Sequence, residues 1–231
     1  MPIAENLACI QERIRSAALR AGRRPGDIRL VAVSKTQPAM AVTAAARAGQ
    51  VLFGENYVQE LTAKAAEVKE PVEWHFIGSL QTNKVKYLVN LVTVIHSVDR
   101  LSLAEEISRQ WGKEGKSCDI LLEVNIAGET TKGGTAGDAL LALASEVARL
   151  PHLRIRGLMT MPPFFDEPEE ARPYFRELRR LAGVIDAAGV PGVEMKELSM
   201  GMSGDFEAAI EEGATFVRVG TALFGERSYL H

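Results

Sequence analysis

The sequence predicts an α/β protein of one domain, a (β/α)8 TIM barrel with an extra N-terminal helix. The first observation is a strict alternation of short apolar, β-rich segments with amphipathic helical segments, which favours a parallel sheet with helical crossovers. The second is that eight such units follow one another, in a chain near the typical barrel length of about 250 residues. No linker or composition change divides residues 1–231, so one domain is expected.

The predicted strands are short runs rich in β-branched and other apolar residues, and most end at polar residues or glycine. The fifth strand is the longest and leads into a glycine-rich loop at 128–137. An open doubly wound sheet is the alternative, and the lack of a GxGxxG loop after any strand weakens it. The eight strands are residues 29–34, 51–53, 73–77, 92–96, 118–126, 154–159, 192–198 and 215–219.

The predicted helices are recognised by apolar residues at spacings of three and four. The first helix, residues 6–21, carries Leu7, Ile10 and Ile14 on one face and stops near Gly22. Eight more follow the strands, and proline, which is tolerated in the first turn, opens two of them. These helices are residues 38–48, 57–69, 81–89, 99–111, 138–150, 168–188, 205–212 and 221–224.

Charge and composition exclude several classes of function. Lys plus Arg total 27 and Asp plus Glu total 30, so nucleic acid and anionic membranes are not expected partners. No apolar run approaches the roughly 20 residues that span a bilayer, and the N-terminus lacks the apolar core of a secretory signal. Cys9 and Cys118 lie far apart, in no metal or disulfide spacing, so a reducing compartment, the cytoplasm, is expected.

Polar residues lie at the carboxyl ends of the predicted strands, where barrels place their active and binding sites. We expect them to converge on one mouth of the barrel. They are Lys35, Glu55, Asn56, His75, Ser79, Ser97, Asp99, Asn125, Thr160, Ser199, Ser203, Arg218, Gly220 and Thr221.

Lys35 follows the apolar run 30–33 at the end of the first strand. An amine held against an apolar wall loses hydration, so its pKa falls and it becomes a nucleophile toward aldehydes. The alternative is a strand-end lysine that simply extends to water. The residue by itself does not decide between the two.

Two loops have the composition of an anion site. The loop after strand seven contains Gly201, Ser203 and Gly204, and strand eight is followed by Gly220 and Thr221. The loops after strands seven and eight form the usual phosphate pocket of this fold. The alternative is that Ser203 and Thr221 only cap the helices that follow them.

Arg218 lies on the eighth strand, two residues before Gly220. If its side chain points inward, it supplies a fixed cation to the mouth of the barrel. The alternative is an arginine paired with a carboxylate at the rim.

Other motifs give weaker evidence of a function. Gly128 and Gly133 resemble a nucleotide-phosphate loop, but Gly134 stands where that motif requires lysine. His75 and His96 lie on neighbouring strands without a further ligand at a recognised spacing, so no metal site is predicted. No GxSxG motif supports a serine hydrolase.

The motifs AVSKTQP, FGENYVQE, WHFIGSLQTNK, HSVDR, GLMTM, LSMGMSGDFEAAI and VRVGTALFG closely resemble the YggS/PROSC family, the pyridoxal phosphate homeostasis proteins. The resemblance implies a barrel similar to the N-terminal domain of alanine racemase, with pyridoxal 5'-phosphate (PLP) as cofactor. It implies that Lys35 forms the internal aldimine, a Schiff base, and that Asn56 lies near the cofactor. Arg218 would face the pyridine nitrogen, or alternatively the phosphate. The implied phosphate-binding residues are Ser199, Ser203, Gly220 and Thr221.

The resemblance implies a protein of intracellular PLP homeostasis, which buffers the cofactor, passes it to apo-enzymes and is expected to be a monomer without enzymatic activity. The alternative is a PLP-dependent amino acid racemase with weak or no activity. Racemisation requires an acid/base group on each face of the ring. The chain ends at His231, soon after strand eight, and none of its tyrosines is an evident second base: Tyr57, Tyr87, Tyr174 and Tyr229.

Overall fold

Eight parallel strands close into a barrel in the order of the chain, and β8 pairs back onto β1. The computed structural model describes residues 2–129 and 133–225, so Tyr229 and residues 130–132 of the glycine-rich loop lie outside the described residues. The predicted (β/α)8 barrel is confirmed. Its strands are β1 (Arg29–Val33), β2 (Leu52–Glu55), β3 (Glu73–Phe76), β4 (Val92–Val98), β5 (Cys118–Glu123), β6 (Leu153–Met159), β7 (Val193–Ser199) and β8 (Phe216–Val219).

The helices form the outer layer, and the additional helix α1 packs against α2, α7 and α8 where β8 meets β1. None of the described helices is long and apolar enough to span a membrane. The α-helices are α1 (Ile3–Arg20), α2 (Ala39–Arg47), α3 (Val58–Glu67), α4 (Leu101–Lys113), α5 (Leu140–Val147), α6 (Arg172–Ala187), α7 (Phe206–Glu211) and α8 (Thr221–Phe224). Short 3-10 helices are Pro25–Asp27, Thr82–Tyr87 and Pro168–Ala171.

Two sequence predictions of secondary structure were wrong in part. Residues 81–89 form the 3-10 helix Thr82–Tyr87 instead of an α-helix, and the two buried residues of this segment, Val85 and Leu88, are three apart, a spacing that both types of helix place on one face. The fifth strand ends at Glu123 rather than at residue 126. The amide of Thr135 donates to the carbonyl of Glu123, and the carbonyl of Thr135 accepts from the amide of Asn125. These groups therefore pair with the loop, and the regular strand ends there.

The alternation of side chains along the strands separates two apolar cores. Val31 of β1 and Phe216 of β8 lie inside the barrel, whereas Ala32 and Val217 pack under the helices. Because successive side chains of a strand point to opposite faces, Lys35 continues the inward set of β1 and faces the mouth.

Candidate functional site

A cavity of about 940 Å³ opens at the carboxyl ends of the strands. Six of the seven residues that the sequence assigns to the cofactor line it, and they come from the ends of β1, β2, β7 and β8. The remaining wall is largely apolar, with Ile77, Met161 and Phe165 among its residues. The six residues are Lys35, Asn56, Ser203, Arg218, Gly220 and Thr221.

Lys35 is half-buried and lies in a turn directly after β1. The amide of Gln37 donates to the carbonyl of Ser34 at 3.0 Å, which closes the turn around Lys35. Thr36 has a φ of 64°, a left-handed conformation that is unusual for a β-branched residue. The structure therefore presents the amine of Lys35 on a tightly defined turn at the cavity wall.

Ser203 joins the two loops that the sequence assigns to phosphate. Its Oγ accepts hydrogen bonds from the amides of Gly220 and Ala222, each at 3.3 Å. The alternative role, capping the helix after Ser203, is wrong: Asp205 precedes α7, and it accepts a hydrogen bond from the amide of Met202. The amides at the start of α8 and the Ser203 hydroxyl thus form one group of hydrogen-bonding atoms at the cavity.

Glycines let the backbone of this region pass close to its neighbours. A Cβ at Gly220 would lie 3.3 Å from the carbonyl oxygen of Val33, so the β8 end lies against the β1 end. A Cβ at Gly78 would lie 2.4 Å from the carbonyl oxygen of Asn56, which brings the loops after β2 and β3 together. These approaches bring Lys35, Asn56 and the β8 loop around one cavity.

Arg218 is buried and points inward, where it donates to Ser199 Oγ at 2.7 Å and to the carbonyl of Thr160 at 2.9 Å. Within residues 2–129 and 133–225, no carboxylate forms an ion pair with it, so the rim ion pair is wrong. Burial lowers the pKa of Arg218 to about 10, opposed by the charges of Asp205 and Glu123. The guanidinium remains a cation at neutral pH, with its charge available to a ligand.

Ser199 does not line the cavity but supports Arg218 from inside the barrel. Its Oγ also lies 2.9 Å from His96 Nδ1, and His96 Nε2 lies 2.8 Å from His75 Nδ1. Burial lowers the pKa of His75 to about 3 and that of His96 well below its usual value, so both rings are neutral. A continuous chain of hydrogen bonds thus runs from the histidine pair to Arg218.

Asn56 carries a buried side-chain oxygen with no hydrogen-bond partner among the described residues. Buried polar atoms are nearly always paired, so an unpaired one at a cavity wall is an acceptor available to a bound molecule. The neighbouring Glu55 does not reach the mouth, contrary to expectation. It points to the opposite face of β2, as strand alternation requires, and hydrogen-bonds to Ser34 and Lys64.

Other predicted strand-end residues hold the mouth together without lining the cavity. Ser97 Oγ donates to the carbonyl of Gly78, and Thr160 Oγ1 donates to the carbonyl of Val124. Asn125 hydrogen-bonds to Glu129, and Ser79 is exposed.

Sequence reasoning missed Asp205 and the loop after β6, which both line the cavity. Burial raises the pKa of Asp205, opposed by its hydrogen bond from Met202. Its position one residue after Gly204 was the available signal. Phe164 is 85% exposed, and Phe165 packs on Tyr174 with ring centroids 5.6 Å apart. The side chains that this loop brings to the mouth have no periodic pattern that could reveal them.

Known relatives cover almost the entire chain. The family model described as alanine racemase, N-terminal domain, matches residues 6–228. A pyridoxal phosphate homeostasis protein of Aquifex aeolicus is 47% identical over 230 residues, which cover 99% of this chain and 100% of that protein. The protein of the same name from Pseudomonas aeruginosa is 47% identical over 228 residues, 98% of this chain and 96% of its own.

A solved structure agrees with these relatives. PipY of Synechococcus elongatus PCC7942, determined with PLP bound, is 39% identical and superposes with a TM-score of 0.84. The match covers 96% of this chain and 100% of PipY. The resemblance derived from the sequence motifs is therefore confirmed, and the chain belongs to the family of the pyridoxal phosphate homeostasis proteins, built on the alanine racemase N-terminal domain.

Proposed function

We propose that this protein binds pyridoxal 5'-phosphate at the barrel mouth and serves in its intracellular homeostasis, buffering the cofactor and passing it to apo-enzymes. The observation that carries the proposal is the convergence of Lys35, Arg218 and the Ser203–Gly220 contact on one cavity. These groups meet the cofactor's three requirements: an amine, a cradle for a dianion and a group that sets the electronics of the ring. The relatives' name and the PLP bound to PipY support the same cofactor.

Lys35 is the proposed point of attachment. When bound, the cofactor supplies an aldehyde carbon, which condenses with a neutral amine to a carbon–nitrogen double bond and releases one water. The turn after β1 holds Lys35 at the cavity wall, beside the inward-facing Val33.

The phosphate is proposed to bind where the loops after β7 and β8 meet. The amides of Gly220 and Ala222 donate to Ser203 Oγ, which leaves the Ser203 hydroxyl its own proton to donate to an anion. Thr221 lies at the start of α8 and adds a hydroxyl. Asn56, with its buried unpaired oxygen, is proposed to contact the ring from the side of β2.

Arg218 is proposed to face the pyridine nitrogen. A guanidinium only donates hydrogen bonds, so the ring nitrogen opposite it must act as acceptor and stay unprotonated. An unprotonated ring withdraws electrons less strongly, which disfavours carbanion chemistry.

The absence of catalysis is also part of the proposal. No tyrosine is among the described residues that line the cavity. Tyr57 and Tyr87 are about half exposed, at 54% and 49%, and Tyr174 packs on Phe165. Incubation of the PLP-loaded protein with single-enantiomer amino acids tests this. Steady racemisation at ordinary enzyme rates, about 1 per second or faster, would establish an enzyme.

We further propose that the protein acts as a monomer in the cytoplasm. Cys9 is exposed and Cys118 is buried on β5, and both are free thiols, which supports a reducing compartment. Transfer of cofactor is tested by mixing the loaded protein with an apo PLP-dependent enzyme and measuring the recovery of its activity.

The first prediction concerns Lys35. Borohydride reduction of the wild-type protein loaded with one equivalent of PLP should place the label on the peptide that contains Lys35. Lys35→Ala should lose this label and the visible absorbance of the linked cofactor at one equivalent. Lys86→Ala, which removes an exposed lysine, is the control and should behave as wild type. A wild-type label on another lysine would show that the attachment site is wrong.

A further inference from the structure

The turn that carries Lys35 has a strained backbone conformation, which its own residues do not favour. Thr36 is its third residue and has a φ of 64°. Turns that need a positive φ at this position favour glycine or asparagine, because a β-branched side chain is strained there. Such strain persists only where surrounding contacts hold the backbone in place.

The contacts that hold the turn come from α3. The carboxylate of Glu60 accepts a hydrogen bond from the amide of Thr36, with Oε2 at 2.7 Å from the nitrogen. The amine of Lys64, one helical turn later, donates to the carbonyl of Ser34 at 2.6 Å. Glu60 and Lys64 also pair with each other at 3.0 Å. The two neighbours of Lys35 are therefore each held by one of a pair of linked side chains: Lys64 binds Ser34, and Glu60 binds Thr36.

Glu55 completes this network from β2. Its Oε1 accepts from Ser34 Oγ and from Lys64 Nζ, each at 2.7 Å, and the residue is fully buried. An ammonium has three donors, and those of Lys64 go to Ser34, Glu55 and Glu60. Lys64 is thus fully committed to the network.

Strand alternation separates the network from the cavity. Ser34 lies two residues after the outward-facing Ala32, so it faces outward as well. Lys35 lies two residues after the inward-facing Val33, which lines the cavity. The network therefore contacts the turn from the helix side only, and Lys35 is presented on the other side.

We infer that Glu60 and Lys64 are positioning residues for Lys35: they hold the strained turn so that the amine meets the cofactor aldehyde in a productive orientation. The inference rests on the proposed attachment of PLP at Lys35. It assigns the two residues no contact with the cofactor. Their removal should slow formation of the covalent link and should leave the phosphate and ring contacts intact.

The test compares two ligands. PLP reports covalent linkage through its visible absorbance. Pyridoxine 5'-phosphate, which has an alcohol in place of the aldehyde, reports phosphate and ring binding by calorimetry. The variants are Glu60→Ala and Lys64→Met. The controls are Glu67→Ala, at an exposed position of the same helix, and Lys69→Met, at an exposed position just after it.

We expect Glu60→Ala and Lys64→Met to slow covalent linkage about tenfold or more, because small misplacements of a reacting group have effects of this size. Affinity for pyridoxine 5'-phosphate should change by less than about twofold, and both controls should match wild type. Lys64→Met removes the charge partner of the buried Glu55, which could prevent folding. In that case Glu60→Ala alone tests the inference, because Glu60 is partly exposed and its loss leaves no buried charge without a partner.

Two results would overturn the positioning role alone. One is linkage at the wild-type rate in Glu60→Ala, and the other is an equal loss of affinity for both ligands, which would indicate a general effect on the cavity. Failure of the wild-type protein to link PLP at Lys35 would instead overturn the proposed function, and the positioning role with it.

Discussion

Ser199 is the residue through which the interior of the barrel supports the cavity. Its hydroxyl accepts from Arg218 and lies next to His96, on a strand more than 100 residues away in the chain. A serine hydroxyl has one proton and two lone pairs, enough for both partners at once. Because both partners are buried, neither can turn to water if Ser199 is lost.

Ser199→Ala should therefore lower the free energy of unfolding by about 1–3 kcal/mol, because it leaves buried polar groups unpaired. Urea denaturation of the protein without added cofactor measures this. Ser79→Ala is the matched control: Ser79 is exposed in the loop after β3, so the expected change is within about 0.5 kcal/mol. Equal stability of the two variants would contradict the proposed importance of the Ser199 hydrogen bonds.

The loop after β7 depends on the backbone geometry of one glycine. Gly201 has a φ of 88°, and a Cβ there would lie 2.5 Å from the Cβ of Ala209 and 2.9 Å from the Cα of Phe206. The carbonyl of Gly201 also accepts from the amide of Arg218 at 2.9 Å. A displacement of this loop would therefore move β8 and the residues that follow it.

Gly201→Ala should destabilise the protein by about 1–3 kcal/mol, since it adds both backbone strain and a steric clash. Gly204→Ala, in the same loop, is the control, because a Cβ there meets no atom within 4 Å. The control should be neutral or stabilising by up to about 1 kcal/mol, through the entropy of the unfolded chain. Thermal unfolding measures both, and similar losses in the two variants would contradict the steric argument.

At the scale of the whole molecule, the barrel interior contributes to the pH dependence of stability. Burial raises the pKa of Glu123 to about 7, with the charge of Asp99 raising it further and that of Arg218 opposing. A raised folded-state pKa favours the protonated carboxyl in the folded protein. The associated stability is present below the unfolded pKa near 4.5 and is lost as the pH rises through 7.

Glu123→Gln should remove this dependence. Relative to wild type, the variant should gain about 2–3 kcal/mol of stability between pH 5 and pH 8, because this range covers most of the rise in pKa from 4.5 to about 7. Urea denaturation of both proteins at the two pH values isolates Glu123, because the two histidines contribute equally to both proteins. Glu105→Gln, at an exposed position, is the control. A pH-independent difference between wild type and Glu123→Gln would contradict the prediction.

Features that depend on local sequence patterns could be predicted, and features that depend on distant contacts could not. The eight strands follow from local patterns, and so does the position of Lys35 directly after a buried run. The 3-10 helix Thr82–Tyr87 was missed because its buried residues alone do not distinguish it from a short α-helix. The partners of Ser203 and Arg218 were missed because they lie on other strands or loops, and no local pattern encodes them.

The sequence by itself determined the barrel and the residues at the carboxyl ends of its strands, because strand alternation and helical periodicity depend only on near neighbours in the chain. Only the tertiary structure decided which of those residues share the cavity. It also decided that Glu55, Glu60 and Lys64 hydrogen-bond to the turn of Lys35 from the side opposite the cavity. These contacts, and the burial that shifts the pKa values of His75, Glu123 and Arg218, arise from distances across the closed barrel. Such distances are set only when residues far apart in the chain are packed together.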